Sequence, residues 1–268
     1  MKESIVNESQ FVKIIESSVN KKVGLFEQSK GRYFVRSMFA GAMLVFATAI
    51  GVYAADYINV GAPNLGKFVY SFLFAFGLLF ILFLHQELVT SNMMYLTAGT
   101  YHKFISPNKT VKILLFCTLG NLVGAVLAAF LVAQTGAFSH LTAESFIVNT
   151  VNGKLGKDLA LIFIEGIMAN IFVNIAILGY LLAKEEISKI IIVFGAIFMF
   201  VFLGYEHVVA NFGSFSLVAF SNYQAEAIQL LPVLSAWIVA WIANYIGGGL
   251  VIGLVYAWLN DAGMVLHD

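Results

Sequence analysis

Apolar residues run through this chain in six long stretches joined by short polar connections. Residues 37–55, 113–143 and 227–260 carry no charged side chain, whereas 68–101 holds only Glu87, 159–183 only Glu165 and 190–224 only Glu206. A helix rises about 1.5 Å per residue, so about 20 apolar residues cross a hydrocarbon core of about 30 Å. The pattern predicts six membrane passages. Ahead of them, Phe11, Ile15, Val19, Val23 and Phe26 recur at helical spacing with lysines between them. That predicts an amphipathic helix lying on the inner membrane surface or packed on cytoplasmic loops.

Two of the stretches resemble each other. Gln86-Glu87-Leu88-Val89-Thr90-Ser91-Asn92 and Tyr205-Glu206-His207-Val208-Val209-Ala210-Asn211 each place an asparagine five residues after a glutamate inside an apolar run. The glutamates are 119 residues apart. A second echo, Asn121-Leu122-Val123-Gly124 and Asn244-Tyr245-Ile246-Gly247, is 123 residues apart. Carboxylates and amides are costly in hydrocarbon unless the helix breaks to line a site. The expected fold is therefore an all-α membrane protein of six transmembrane helices. They form two inverted three-helix repeats, with helices 2 and 5 broken mid-membrane in an aquaporin-like architecture. Residues 1–32 form the amino-terminal segment, 33–260 the membrane domain and 261–268 a cytoplasmic tail.

Composition agrees: 60% of residues are hydrophobic and 11% charged, against about 25% charged in soluble domains. The formal net charge is zero, so no basic surface points to nucleic acid. The first 30 residues are too polar for a cleavable signal peptide, which leaves the first span as the insertion signal. Most lysines and arginines fall before the first span, between spans two and three, or between four and five. Lys67, Lys154 and Lys157 fall on the opposite side. By the positive-inside rule both termini lie inside; the expected location is a bacterial cytoplasmic membrane. Cys117, the single cysteine, reads as a small packing residue rather than a redox group.

His207 is the leading candidate for chemistry, because histidine donates or accepts a proton near neutral pH. A neutral, hydrogen-bonded structural histidine is the alternative. Glu87 and Glu206 would repel an anion if they faced a pore. They are expected to turn away, capping backbone donors or binding an asparagine amide. Asn121, Asn170, Asn174 and Asn244 are candidates to brace the breaks.

These motifs, with Gly120-Asn121-Leu122-Val123-Gly124, Ala169-Asn170 and Asn244-Tyr245-Ile246-Gly247-Gly248-Gly249, resemble the formate/nitrite transporter family over about residues 33–260. The resemblance implies a pentameric channel for small monovalent anions, neither an enzyme nor dependent on a cofactor or metal. It places His207 at the pore centre with Thr90 as its hydrogen-bond partner. Leu88, Val89 and Thr90 become a gating loop, and Leu78 with Leu88 the inner constriction. Phe74, Phe200, Asn170 and Val173 become the outer constriction, and Lys154 a vestibule lysine. Glu87, Glu206, Asn244 and Asn211 become a structural polar network. This chain departs from the family in having Val89 where phenylalanine is common, and His85-Gln86 where a small pair is common. His85 reads either as a pore group or as a packed neutral histidine.

The implied function is a pH-dependent, proton-coupled channel or symporter for formate, nitrite or a similar weak-acid anion. Hydrosulfide, lactate and acetate are the alternatives within the family. From another class, a haem-binding redox subunit would need His85 and His207 as a deep facing pair. A water channel would carry two Asn-Pro-Ala motifs, and this chain has none.

Overall fold

The computed structural model describes residues 9–223 and 225–261, and the regular structure among them is helical. The order is α1 (Gln10–Gln28), α2 (Lys30–Gly61), α3 (Leu65–Phe83), α4 (Val89–Tyr101), α5 (Pro107–Ala133), α6 (Phe146–Leu155), α7 (Leu159–Leu182), α8 (Glu186–Leu203), α9 (Val208–Phe220) and α10 (Leu230–Asn244). A π-helical segment, Tyr245–Leu254, then runs into α11 (Val255–Leu259). Among the described residues six helical stretches are long and apolar enough to cross a membrane: α2, α3, α5, α7, α8 and the continuous run Leu230–Leu259. The first begins at Lys30, three residues before the expected start of the membrane domain, and most of the expected tail lies outside the described residues. Hydropathy also gave no sign of α6, whose first backbone N–H, at Phe146, donates to Asp56 Oδ1 at 2.7 Å.

The two breaks are built alike. At the end of α3 the N–H of His85 donates to Leu82 O and that of Gln86 to Ile81 O; at the end of α8 the N–H of Gly204 donates to Val201 O and that of Tyr205 to Phe200 O. Both ends turn through a left-handed residue, His85 (φ 51°) and Gly204 (φ 79°). Such a turn satisfies the last helical carbonyls and stops the helix. The chain then crosses an extended gap before the next helix starts. Asn121 reads across the first gap like a short piece of strand: its amide donates to Glu87 O (2.8 Å) and its Oδ1 accepts from Val89 N (2.9 Å). Asn244 does the same across the second, to Glu206 O (2.9 Å) and from Val208 N (2.9 Å). Backbone groups that leave a helix in a dry interior need such partners.

The same asparagines lock each half's outer helices together. Asn121 also donates to Ser37 O on α2, and Asn244 to Gly166 O on α7. Three residues further on, a Cβ at Gly124 would lie 1.9 Å from Met38 O and one at Gly247 would lie 2.1 Å from Ile167 O. Only glycine lets these backbones approach so closely.

The second pieces of the broken helices, α4 and α9, are the most enclosed elements. Every residue from Val89 to Gly99 is buried, and so is every residue from Val208 to Val218 except Ala210. Each lies against the third long helix of the other half: α9 against α5, and α4 against the π-helical segment. Helix α1 packs on the rest of the chain rather than presenting its apolar face to lipid. Phe11, Val12, Ile15 and Val19 are buried against α2, α4 and α11, and Lys22 reaches Glu87 at 3.0 Å.

Candidate functional site

Helices α4 and α9 begin close together, and their first turns form the site. His207 is the N-cap of α9: the backbone N–H of Ala210 donates to its Nδ1 at 3.2 Å. Nδ1 therefore holds a lone pair, and the ring proton sits on Nε2. That atom lies 2.9 Å from Thr90 Oγ1. The Nε2–H donates to the threonine oxygen, which leaves the Thr90 hydroxyl proton available to another acceptor. Protonating Nδ1 would break this cap.

Thr90 is itself held from behind. Its carbonyl accepts from Asn170 (3.1 Å) and Asn174 (3.2 Å), and Asn170 also donates to Asn244 O at 2.7 Å. Asn170 thus braces both breaks. Neither it nor Val173, both buried, lines the cavity where Phe74 and Phe200 stand.

That cavity, of about 80 Å³, is lined by Lys67, Phe74, Lys154, Phe200 and His207 among others. The Phe74 and Phe200 rings meet edge to face at 6.2 Å, and Phe200 lies 5.9 Å from the imidazole. A second cavity, of about 680 Å³, is lined by Lys21, Lys22, Arg36, His85, Glu87 and Ser91 among others. Glu87 and Ser91 flank Leu88, Val89 and Thr90, which line neither cavity. With Leu78 these three are buried, and Thr90 meets His207, which lines the smaller cavity.

Both glutamates bind amide and ammonium groups, and Glu87 does so at the edge of the larger cavity. Glu206 accepts from Asn211 (2.7 Å), Lys154 (2.9 Å) and Lys157 (2.7 Å), and Lys157 also binds Glu165. Glu87 accepts from Asn92 (2.8 Å) and Lys22 (3.0 Å). Burial, joined by the neighbouring charge of Lys157, holds the Lys154 amine below its ordinary pKa despite Glu206. Burial also pulls Lys157 down, but its two carboxylates outweigh it and leave that amine raised. Sequence reasoning expected the glutamate–amide contacts. It missed the lysine partners of both glutamates and the Tyr33 hydroxyl that accepts from Asn92 at 2.9 Å. Ion pairs between distant segments leave no periodic trace. The one available signal was a lysine or acid set against an otherwise apolar run, as at Lys157 and Glu165.

His85 is exposed rather than deep and lines the larger cavity, while His207 lines the smaller one. A haem would need the two facing each other, so the redox alternative loses its axial pair.

Two interrupted helices whose tips meet at a buried histidine and threonine beside a cavity are the architecture of a multi-pass membrane channel or transporter. Residues 9–258 match the formate/nitrite transporter family, to which this chain belongs. It is 30% identical to the nitrite transporter NirC of Escherichia coli (strain K12), over 84% of this chain and 82% of that protein. In structure it is similar to an FNT family ion channel, with a TM-score of 0.86 at 24% identity over 92% of this chain and 97% of the other. It also resembles a pentameric formate channel with formate bound, with a TM-score of 0.71 at 22% identity over 85% and 96% of the two chains. The protein is a transporter, not an enzyme.

Proposed function

We propose that the protein passes formate, nitrite or a similar small weak-acid anion across a bacterial cytoplasmic membrane, together with a proton. The observation that carries this reading is the 2.9 Å contact of Thr90 Oγ1 with His207 Nε2 across the two helix breaks. Helix N-termini carry about half a positive charge each, and α4 and α9 both begin at this pair. Two such ends and a free hydroxyl proton suit an anion and not a cation. The NirC relative and the formate-bound structural neighbour support the same substrate class.

A wall of buried apolar side chains across the path sets the energetic problem. Leu78, Leu88, Val89, Phe74 and Phe200 are apolar and buried, and moving a bare carboxylate into such surroundings costs of order 20 kcal/mol before relaxation. An anion that takes up a proton at the wall escapes most of that cost. Falling dielectric raises the anion's own pKa as it approaches. The Thr90 hydroxyl then holds the arriving oxygen while His207, anchored through Nδ1, holds Thr90.

The paired hydrogen bonds at Asn121 and Asn244 support an inverted repeat. With three passages per half, the second half runs opposite to the first, and its axis lies in the membrane plane. Lys67, Lys154 and Lys157 gather at the smaller cavity, and Lys21, Lys22 and Arg36 at the larger. That distribution supports an outward-facing small cavity and termini on the inside. The pentameric neighbour and the exposed phenylalanines of α3 and α8 support a homopentamer.

The reading is tested by flux of formate, nitrite, hydrosulfide, lactate and acetate into proteoliposomes over a pH series, wild type beside Val89→Phe. Uptake that rises as pH falls, and narrows to smaller anions in the variant, is expected. Equal flux at every pH would rule out proton coupling.

A further inference from the structure

The lysine that sequence reasoning placed in the outer vestibule, Lys154, has its charge already answered. Its Nζ lies 2.9 Å from Glu206 Oε2 and donates to Tyr205 O at 3.2 Å. Lys157 takes the other oxygen of the same carboxylate at 2.7 Å and binds Glu165 as well. Two ammonium groups and two carboxylates close on one another, so this cluster presents no net charge to an approaching ion.

Lys67 differs. It lines the same cavity as Phe74, Phe200 and His207, it is exposed, and it makes no ion pair among the described residues. Its ammonium stands 5.5 Å over the Phe202 ring. A ring face steadies a cation without neutralising it. The larger cavity is arranged the same way: Lys22 is paired with Glu87, while Lys21 and Arg36 line the space with no carboxylate partner among the described residues.

Resting on the anion path of the preceding subsection, we infer that Lys67 is the anion-capturing residue at the mouth of the smaller cavity. Lys154 is then a positioning residue that holds Glu206. An uncompensated charge at the rim of a low-dielectric cavity raises the local concentration of anions, and salt screens it. A paired charge does little of either.

The test is the initial rate of formate uptake into proteoliposomes against formate concentration, at low and high concentrations of an impermeant salt. Lys67→Gln is expected to raise KM about five-fold with Vmax retained, and to abolish the salt dependence of KM. Lys67→Arg should restore both. Lys154→Gln should lower Vmax and thermal stability while keeping the salt dependence. Wild-type KM and salt response in Lys67→Gln, or their loss in Lys154→Gln instead, would overturn the assignment. A wild-type protein that passes neither formate nor nitrite would overturn the underlying function along with it.

Discussion

The imidazole Nε2 of His207 stands 2.9 Å from the hydroxyl of Thr90, 117 residues away in sequence. Each residue sits in the first turn of a different interrupted helix, so the contact exists only if both helices break at the right depth. Thr90→Val keeps the shape and removes the hydroxyl. The loss of about one hydrogen bond to the passing ion, roughly 0.5–1.5 kcal/mol, predicts formate flux lowered about two- to thirteenfold, with Thr90→Ser near wild type. Parallel proteoliposome assays check this.

Asn121 and Asn244 each satisfy one N–H and one C=O in an opened stretch of backbone. Asn121→Leu and Asn244→Leu fill the volume, but the first orphans the N–H of Val89 and the second both the N–H of Val208 and the carbonyl of Glu206, since Glu87 O keeps the Cys117 thiol at 3.3 Å. Each orphaned group costs about 1–3 kcal/mol. Both variants should show a clearly lower Tm in detergent and a reduced yield of assembled protein. Wild-type melting would mean the amides are incidental.

The turn at His85 uses a left-handed backbone (φ 51°) where the other half uses Gly204 (φ 79°). A side chain in that region costs about 1–2 kcal/mol, partly offset by glycine's greater freedom when unfolded. His85→Gly should therefore raise Tm by about 2–4 °C. Gly204→Ala should lower it through backbone strain alone, since a Cβ there meets nothing within 4 Å. Thermal melts of the two variants should move in opposite directions.

Gly124→Ala and Gly247→Ala face a different obstacle. The new methyl would lie 1.9 Å from Met38 O or 2.1 Å from Ile167 O, and backbone atoms at a helix crossing cannot step aside. Neither variant should yield folded protein by size-exclusion chromatography. Gly153→Ala, with nothing within 4 Å, should behave as wild type.

Much of this architecture was legible in the sequence. Glu87 and Glu206 stand alone in apolar runs, and their matched asparagines marked both breaks before any contact was known. The nearness of Thr90 and His207 followed from resemblance, not from spacing. What stayed hidden depends on groups brought together by folding. Lys157 and Glu165 converge on Glu206, and Lys22 comes from α1 to bind Glu87. The φ of His85 was also unreadable, because nothing in Leu84-His85-Gln86 demands a turn there. Helix α1 showed a clear apolar stripe, but periodicity reports a buried face and not whether lipid or protein covers it.

The most direct test of the account is formate and nitrite flux into proteoliposomes across a pH series, wild type beside His207→Phe. The account predicts wild-type uptake that climbs as pH falls, and a variant that loses most of it because the α9 cap and the Thr90 partner disappear together. Uptake that ignores pH and is unchanged in His207→Phe would contradict it.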